Sequence, residues 1–201
     1  MEEKSNIEIL KEFANKSNRK IVAKEIQQPV SGIRKLPKYQ RKIYVPYDLD
    51  STSFFIWYSD AYGGVGYPII YCGAFIPISS RIKSKINIRN RYIVDKFNIF
   101  SKSNKNAIGN DYFDSRVVIS GNVDVAAKRF LSQSKIQDQL LAGLEIDKFI
   151  NISINEHNVD FVPELKNMSY LSIINPQSWY LERDEIETLF RQIEKIRKII
   201  L

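Results

Sequence analysis

Apolar and polar positions alternate most cleanly over residues 81–92. Ile82, Ile86, Ile88 and Tyr92 fall on one side of a period of two, and Arg81, Lys83, Lys85, Asn87, Arg89 and Arg91 on the other. A strand with this pattern buries the first set and presents the cations Arg81, Lys83, Lys85, Arg89 and Arg91 on its solvent face. Residues 53–58 and 67–76 are apolar on both faces, which predicts two buried strands joined by Gly63-Gly64-Val65-Gly66. That glycine loop lacks the following helix a phosphate cradle needs, so it reads as a hairpin turn. Residues 148–154 alternate again, with Ile150, Ile152 and Ile154 against Asn151, Ser153 and Asn155. Glu156-His157-Asn158 is read as a turn and 159–162 as the returning strand of a hairpin. Further extended segments are expected at 19–26, 43–47, 95–102 and 168–174, and a solvated loop at 30–42.

Helical periodicity appears at both ends and in the middle. Ile7, Leu10 and Ala14 share a stripe over 6–16, with Ser5 as the N-cap. Ile186, Leu189, Phe190, Ile193, Ile196 and Ile200 form the stripe of a C-terminal helix over 184–200, with Glu187 in the capping-box position behind Asp184. Its acids lie at the start and its bases toward the end, as the helix dipole favours. Between them, 116–120 reads as a short strand stopped by Gly121-Asn122. Two helices follow: one capped by Asn122 or Asp124, and one beginning at Ser134 with Gln137 three residues on and Gly143 as its stop. The fold class expected is α+β: a mainly antiparallel sheet from 43–120 and 148–175, an N-terminal helix, a central helix pair over 123–144 and a C-terminal amphipathic helix. With 201 residues, one domain spanning 1–201 is expected, its helix at 1–18 peripheral.

The central stretch carries a resemblance. Gly109, Phe113-Asp114, Arg116-Val117-Val118-Ile119 and Gly121-Asn122, followed by Ala126-Ala127 and Phe130-Leu131, resemble a strand-turn-helix pattern in uncharacterised bacterial domains. The resemblance implies a fold closed by a hairpin and a C-terminal helix. It implies no activity and no catalytic residue, and leaves Phe113, Asp114 and Arg116 structural roles.

Composition narrows the chemistry. His157 and Cys72 are the only residues of their kinds. That count removes zinc sites of the usual Cys/His type, and Cys72 in an apolar run reads as an inert thiol rather than the partner of His157. Asp48, Asp50, Asp111, Asp114 and Asp124 are candidates for a carboxylate-bound metal, but their spacing matches no known loop. Glu164-Leu165-Lys166 resembles the Glu-x-Lys half of a nuclease motif without a preceding Pro-Asp partner, so a metal-dependent nuclease or phosphodiesterase is the rival reading. No catalytic residue, metal site or cofactor is expected. A single cysteine and a charged start without an apolar leader point to a cytoplasmic protein. Residues 61–80 carry no charge, but their glycines and prolines oppose a membrane-spanning helix, and no transmembrane segment is predicted.

The formal net charge is +7, and it is concentrated: residues 81–105 hold eight Lys or Arg against Asp95 alone, and 34–42 hold five with no acid. A concentrated field attracts nucleic acid, an anionic membrane surface or an acidic protein. The competing reading is a solvated strand face, or an edge strand protected by its charges. We therefore expect a non-catalytic binding or adaptor module whose anion-binding candidates are Arg81, Lys83, Lys85, Arg89 and Arg91.

Overall fold

Strands that are apolar on both faces belong in the middle of a sheet, and they lie there. The computed structural model describes residues 5–29, 38–63, 67–79, 81–97, 106–176 and 181–200. Its strands are β1 (Val22–Gln28), β2 (Lys38–Pro46), β3 (Phe54–Asp60), β4 (Ile69–Ile78), β5 (Ile86–Asn90), β6 (Val117–Gly121), β7 (Asn151–Ile154) and β8 (Ser169–Ile174). They form one sheet in the order β1-β2-β3-β4-β8-β7-β5-β6, with every pairing antiparallel. The helices are α1 (Asn6–Lys16), α2 (Ile93–Phe97), α3 (Asp111–Asp114), α4 (Val125–Leu131), α5 (Ser134–Leu144) and α6 (Arg183–Ile200). The α+β class follows. No helix among the described residues is long and apolar enough to cross a membrane.

Each face of the sheet carries its own core. On the first, Ile43, Phe55, Trp57, Cys72, Ala74, Ile76, Ile86, Ile88, Ile152 and Ile173 meet the apolar stripes of α1, α4, α5 and α6. On the second, Phe54, Ile56, Tyr58, Tyr71, Phe75 and Tyr170 are covered by Val159, Val162 and Leu165 from the β7–β8 loop. Arg19 fastens α1 to α6: its guanidinium pairs with Glu187 and lies over the rings of Phe13, Tyr47 and Phe190.

Several expectations need correction. Residues 159–162 make no strand; they fold into consecutive tight turns, with Val162 N–H donating to Val159 O and Leu165 N–H to Val162 O. The partner of β7 is β8, and the two share a buried Ser153–Ser172 hydroxyl pair at 2.7 Å. The strand expected over 95–102 begins instead as helix α2, because Asp95 accepts from the Tyr92 N–H at 2.8 Å and turns the chain back; residues 98–102 lie outside the described set. Lys38, Arg41 and Lys42 sit on β2 rather than in a loop, with Arg41 paired to Glu25 on the neighbouring strand, while 30–37 lie outside the described residues. The expected strand 81–92 shrinks to β5, and Tyr92 is 41% exposed instead of buried.

Caps also differ in detail. Ser5 and Glu8 form the full capping box of α1, and Asp124 caps α4. At α5 the N-cap is Gln133 without a side-chain bond. Gln137 donates instead to the Leu131 carbonyl at 2.9 Å. Gly143 lies inside α5, against Ile152 and Ile173 of the sheet, and does not end the helix. At α6 it is Glu185 that reaches back, accepting from the Glu182 N–H at 3.2 Å, since Glu187 is taken by Arg19.

Candidate functional site

The segment 81–85 leads into β5 with no ladder partner among the described residues, so its main chain needs other hydrogen bonds. Side chains from three elements supply them. Ser169 Oγ, at the start of β8, accepts from the Ile82 N–H and donates to the Ile82 carbonyl, both at 2.9 Å. Asn155 Nδ2, just past β7, donates to the carbonyls of Ile82 at 2.7 Å and Ser84 at 3.3 Å. Asp124 Oδ2 accepts from the N–H groups of Lys83 and Ser84 and from Ser84 Oγ, at 3.0, 3.1 and 2.8 Å. Its Oδ1 meanwhile accepts from the Ala127 N–H at 2.8 Å, capping α4. These donors, the Ala127 N–H foremost, hold the Asp124 carboxyl below the usual carboxylate range.

Fixing the backbone fixes the side-chain alternation. Ile82 and Ser84 turn inward and are buried, while Arg81, Lys83 and Lys85 are exposed. Gly121 lets the chain pass closely: at φ 102° it sits where a Cβ would overlap the Lys85 carbonyl oxygen.

The three cations form one wall of an open groove of about 910 Å³ that crosses the ends of β4, β7 and β8. A second wall is contributed by the 155–168 loop, whose ends are joined by the Asn155 N–H donating to the Tyr170 carbonyl at 3.2 Å and the Tyr170 N–H donating to Asn155 Oδ1 at 3.0 Å. Asn155 and Asn167 take the left-handed conformation, at φ 55° and 62°, that such a loop needs at its ends. Glu156 and Asp160 lie on this wall, and Leu165, Met168 and Tyr170 supply apolar lining.

His157 anchors the loop. Its ring lies 4.6 Å from Tyr71 and 6.2 Å from Phe75, centroid to centroid. Its N–H donates to the Tyr170 hydroxyl oxygen at 2.5 Å, and that hydroxyl donates to the His157 carbonyl. The Tyr71 hydroxyl donates to the neighbouring Asn158 carbonyl. Burial, followed by the charge of Lys85, pushes the His157 pKa down to about 4, and Nε2 is buried without a hydrogen-bond partner. The imidazole is therefore neutral near pH 7 and works as an aromatic wedge. Cys72 lies in the core on the other face of the sheet, so the two do not meet.

The five cations read from the alternation are thus divided. Arg81, Lys83 and Lys85 line the groove and form no ion pair among the described residues. Arg89 is held by Asp95 through bonds of 2.7 and 2.8 Å, which drives the Asp95 carboxyl down to about 2. Arg91 donates to the carbonyls of Asp114 and Val117, both at 3.1 Å.

The remaining candidates have local occupations. Asp114 accepts from the N–H groups of Ile108, Gly109 and Asn110 at 3.0, 2.9 and 3.2 Å, Phe113 is fully buried, and the Arg116 guanidinium lies 3.6 Å over the Tyr112 ring. Among the described residues no group of three or more His, Cys, Asp or Glu is placed to share a metal ion. Glu164 and Lys166 are exposed on the loop. No protein-family model, curated protein or solved structure matches this chain.

Proposed function

We propose that this protein is a non-catalytic binding module that holds an anionic partner in the groove between segment 81–85 and loop 155–168. The supporting observation is the way Arg81, Lys83 and Lys85 are displayed. Their side chains leave a main chain fixed at Ile82, Lys83 and Ser84 by Ser169, Asn155 and Asp124. A cation whose backbone is already ordered loses less entropy on binding than one on a free loop. Three together give an oriented field at the groove mouth. The catalytic alternative lacks a comparable constellation, since His157 is a half-buried neutral ring and Glu164 has no carboxylate cluster around it among the described residues.

The test is a Lys83→Glu/Lys85→Glu variant assayed beside the parent against fluorescein-labelled poly-glutamate, oligo(dT) and vesicles containing phosphatidylserine. At least one of these binds the parent with an affinity that falls as salt rises, and the variant loses about tenfold because two attractions become repulsions. The fold survives, since exposed substitutions are worth about 0.5 kcal/mol or less. Equal binding by parent and variant overturns the assignment of the groove. Nucleic-acid turnover with Mg²⁺ or Mn²⁺ that disappears in Glu164→Ala overturns the non-catalytic reading.

A further inference from the structure

Resting on the anion-binding reading, we infer that the partner is an extended peptide of mixed charge, whose acidic residue meets Lys83 and Lys85 and whose basic residue meets Glu156 and Asp160. The argument is charge complementarity across the groove. The lining from segment 81–85 carries Arg81, Lys83 and Lys85, and the lining from loop 155–168 carries Glu156 and Asp160. Both carboxylates are exposed and neither forms an ion pair among the described residues. The lining is therefore net positive, three cations against two carboxylates, with the two signs carried by different segments.

A nucleic-acid strand carries a phosphate at every residue and would meet repulsion along the acidic wall wherever it gained attraction on the basic one. A purely acidic peptide meets the same conflict. A chain bearing both signs satisfies both walls at once, and the weaker hold on uniform polyanions supplies specificity. The apolar side chain of Met168, 48% exposed at the groove, offers a contact that phosphate and sugar do not use and a peptide side chain does. Its flexible thioether adapts to different partners. The groove lies open to solvent at the ends of β4, β7 and β8, where an extended segment has room to enter.

The experiment uses the full chain and an array of immobilised ten-residue peptides in which Glu, Lys and Leu are permuted, with oligo(dT) of matching charge as the comparison. The parent selects peptides holding Glu and Lys together over all-Glu peptides by about tenfold and binds oligo(dT) more weakly than the selected peptides. Glu156→Lys/Asp160→Lys moves the preference to all-Glu peptides and raises oligo(dT) affinity, because both walls are now basic. Lys83→Glu/Lys85→Glu moves it to Lys-rich peptides.

The outcomes separate the two claims. If the lysine reversals leave every affinity unchanged, the groove is not the binding site and both readings fall. If they weaken binding while the carboxylate reversals change nothing, or if oligo(dT) outcompetes the mixed peptides on the parent, anion binding stands and the mixed-charge peptide is wrong. Circular dichroism of each variant confirms that loss of binding is not loss of fold.

Discussion

At the residue scale, His157 shows how position decides chemistry. A lone histidine after a strand reads as a turn residue, and here it is also wedged against Tyr71 and Phe75 with its pKa lowered to about 4. Its ordinary value is 6.5, so the unfolded chain takes up the proton at a higher pH than the folded one. The stability this histidine contributes is complete above pH 6.5, falls as the pH drops, and is lost below about pH 4. A gap of that size amounts to about 3 kcal/mol at most. His157→Phe keeps the aromatic wedge and the main-chain bonds to Tyr170 but removes the proton. Urea denaturation between pH 4 and 6.5 should show parent stability falling more steeply than that of the variant. Parallel curves would mean that the ring is solvated in solution. Nothing in the sequence marks the wedge, because Tyr71 and Phe75 lie far from His157 along the chain. The cations were more legible: alternation selected Arg81, Lys83 and Lys85 correctly as exposed. It had no means of seeing that Arg89 is answered by Asp95, and Arg91 by two carbonyls, after the chain turns at Tyr92.

At the element scale, what periodicity predicts is the existence and type of long elements, while their ends follow from partners. The stripe of α6 and the two-faced apolar strands β3 and β4 were readable because burial alone dictates them. The hairpin expected at 148–162 failed because Val159 and Val162 are spaced for tight turns, packed on the second face, rather than for a ladder. Two glycines make the same point. Gly143, expected to end a helix, lies within α5, where an added Cβ would approach side chains alone: the flexible end of Ile152 at 3.2 Å, Ile173 Cδ1 at 3.5 Å and Gln192 Cγ at 3.6 Å. Alanine there gains up to about 1 kcal/mol of helix propensity against a small side-chain shift. Gly143→Ala should therefore move Tm by no more than a few degrees. In Gly73, mid-strand in β4, a Cβ would overlap the Ile173 carbonyl oxygen of β8, and backbone cannot yield as a methyl can. Gly73→Ala should cost more than about 3 kcal/mol, visible in thermal melts as a collapse of Tm or the loss of a cooperative transition. Equal melts for the two variants would show that the β4–β8 contact is looser than described.

For the whole molecule, the two faces of the sheet are covered by unlike means. Helices seal the first, and their burial is spread over α1, α4, α5 and α6. The second is sealed by the 155–168 loop, which is also a wall of the groove. Loops usually open at less than the global unfolding free energy, but this one places Val159, Val162 and Leu165 in the second core, with Val162 fully buried. Asn155 at its start is hydrogen-bonded to Tyr170 of β8, and the hydroxyls of Tyr71 and Tyr170 reach its main chain. Those anchors make the loop part of the cooperative unit rather than a lid. Leu165→Ala, which empties a site only 1% exposed, should therefore lower global stability by about 2–4 kcal/mol, with amide exchange accelerated in α5 and α6 as well as in the loop. A mobile lid would behave differently: global stability would stay near the parent value, and only the loop would become open to protease. The distinction bears on recognition too. A groove whose two walls belong to one rigid unit binds a preformed shape, and its affinity should then be tuned mainly through the dissociation rate.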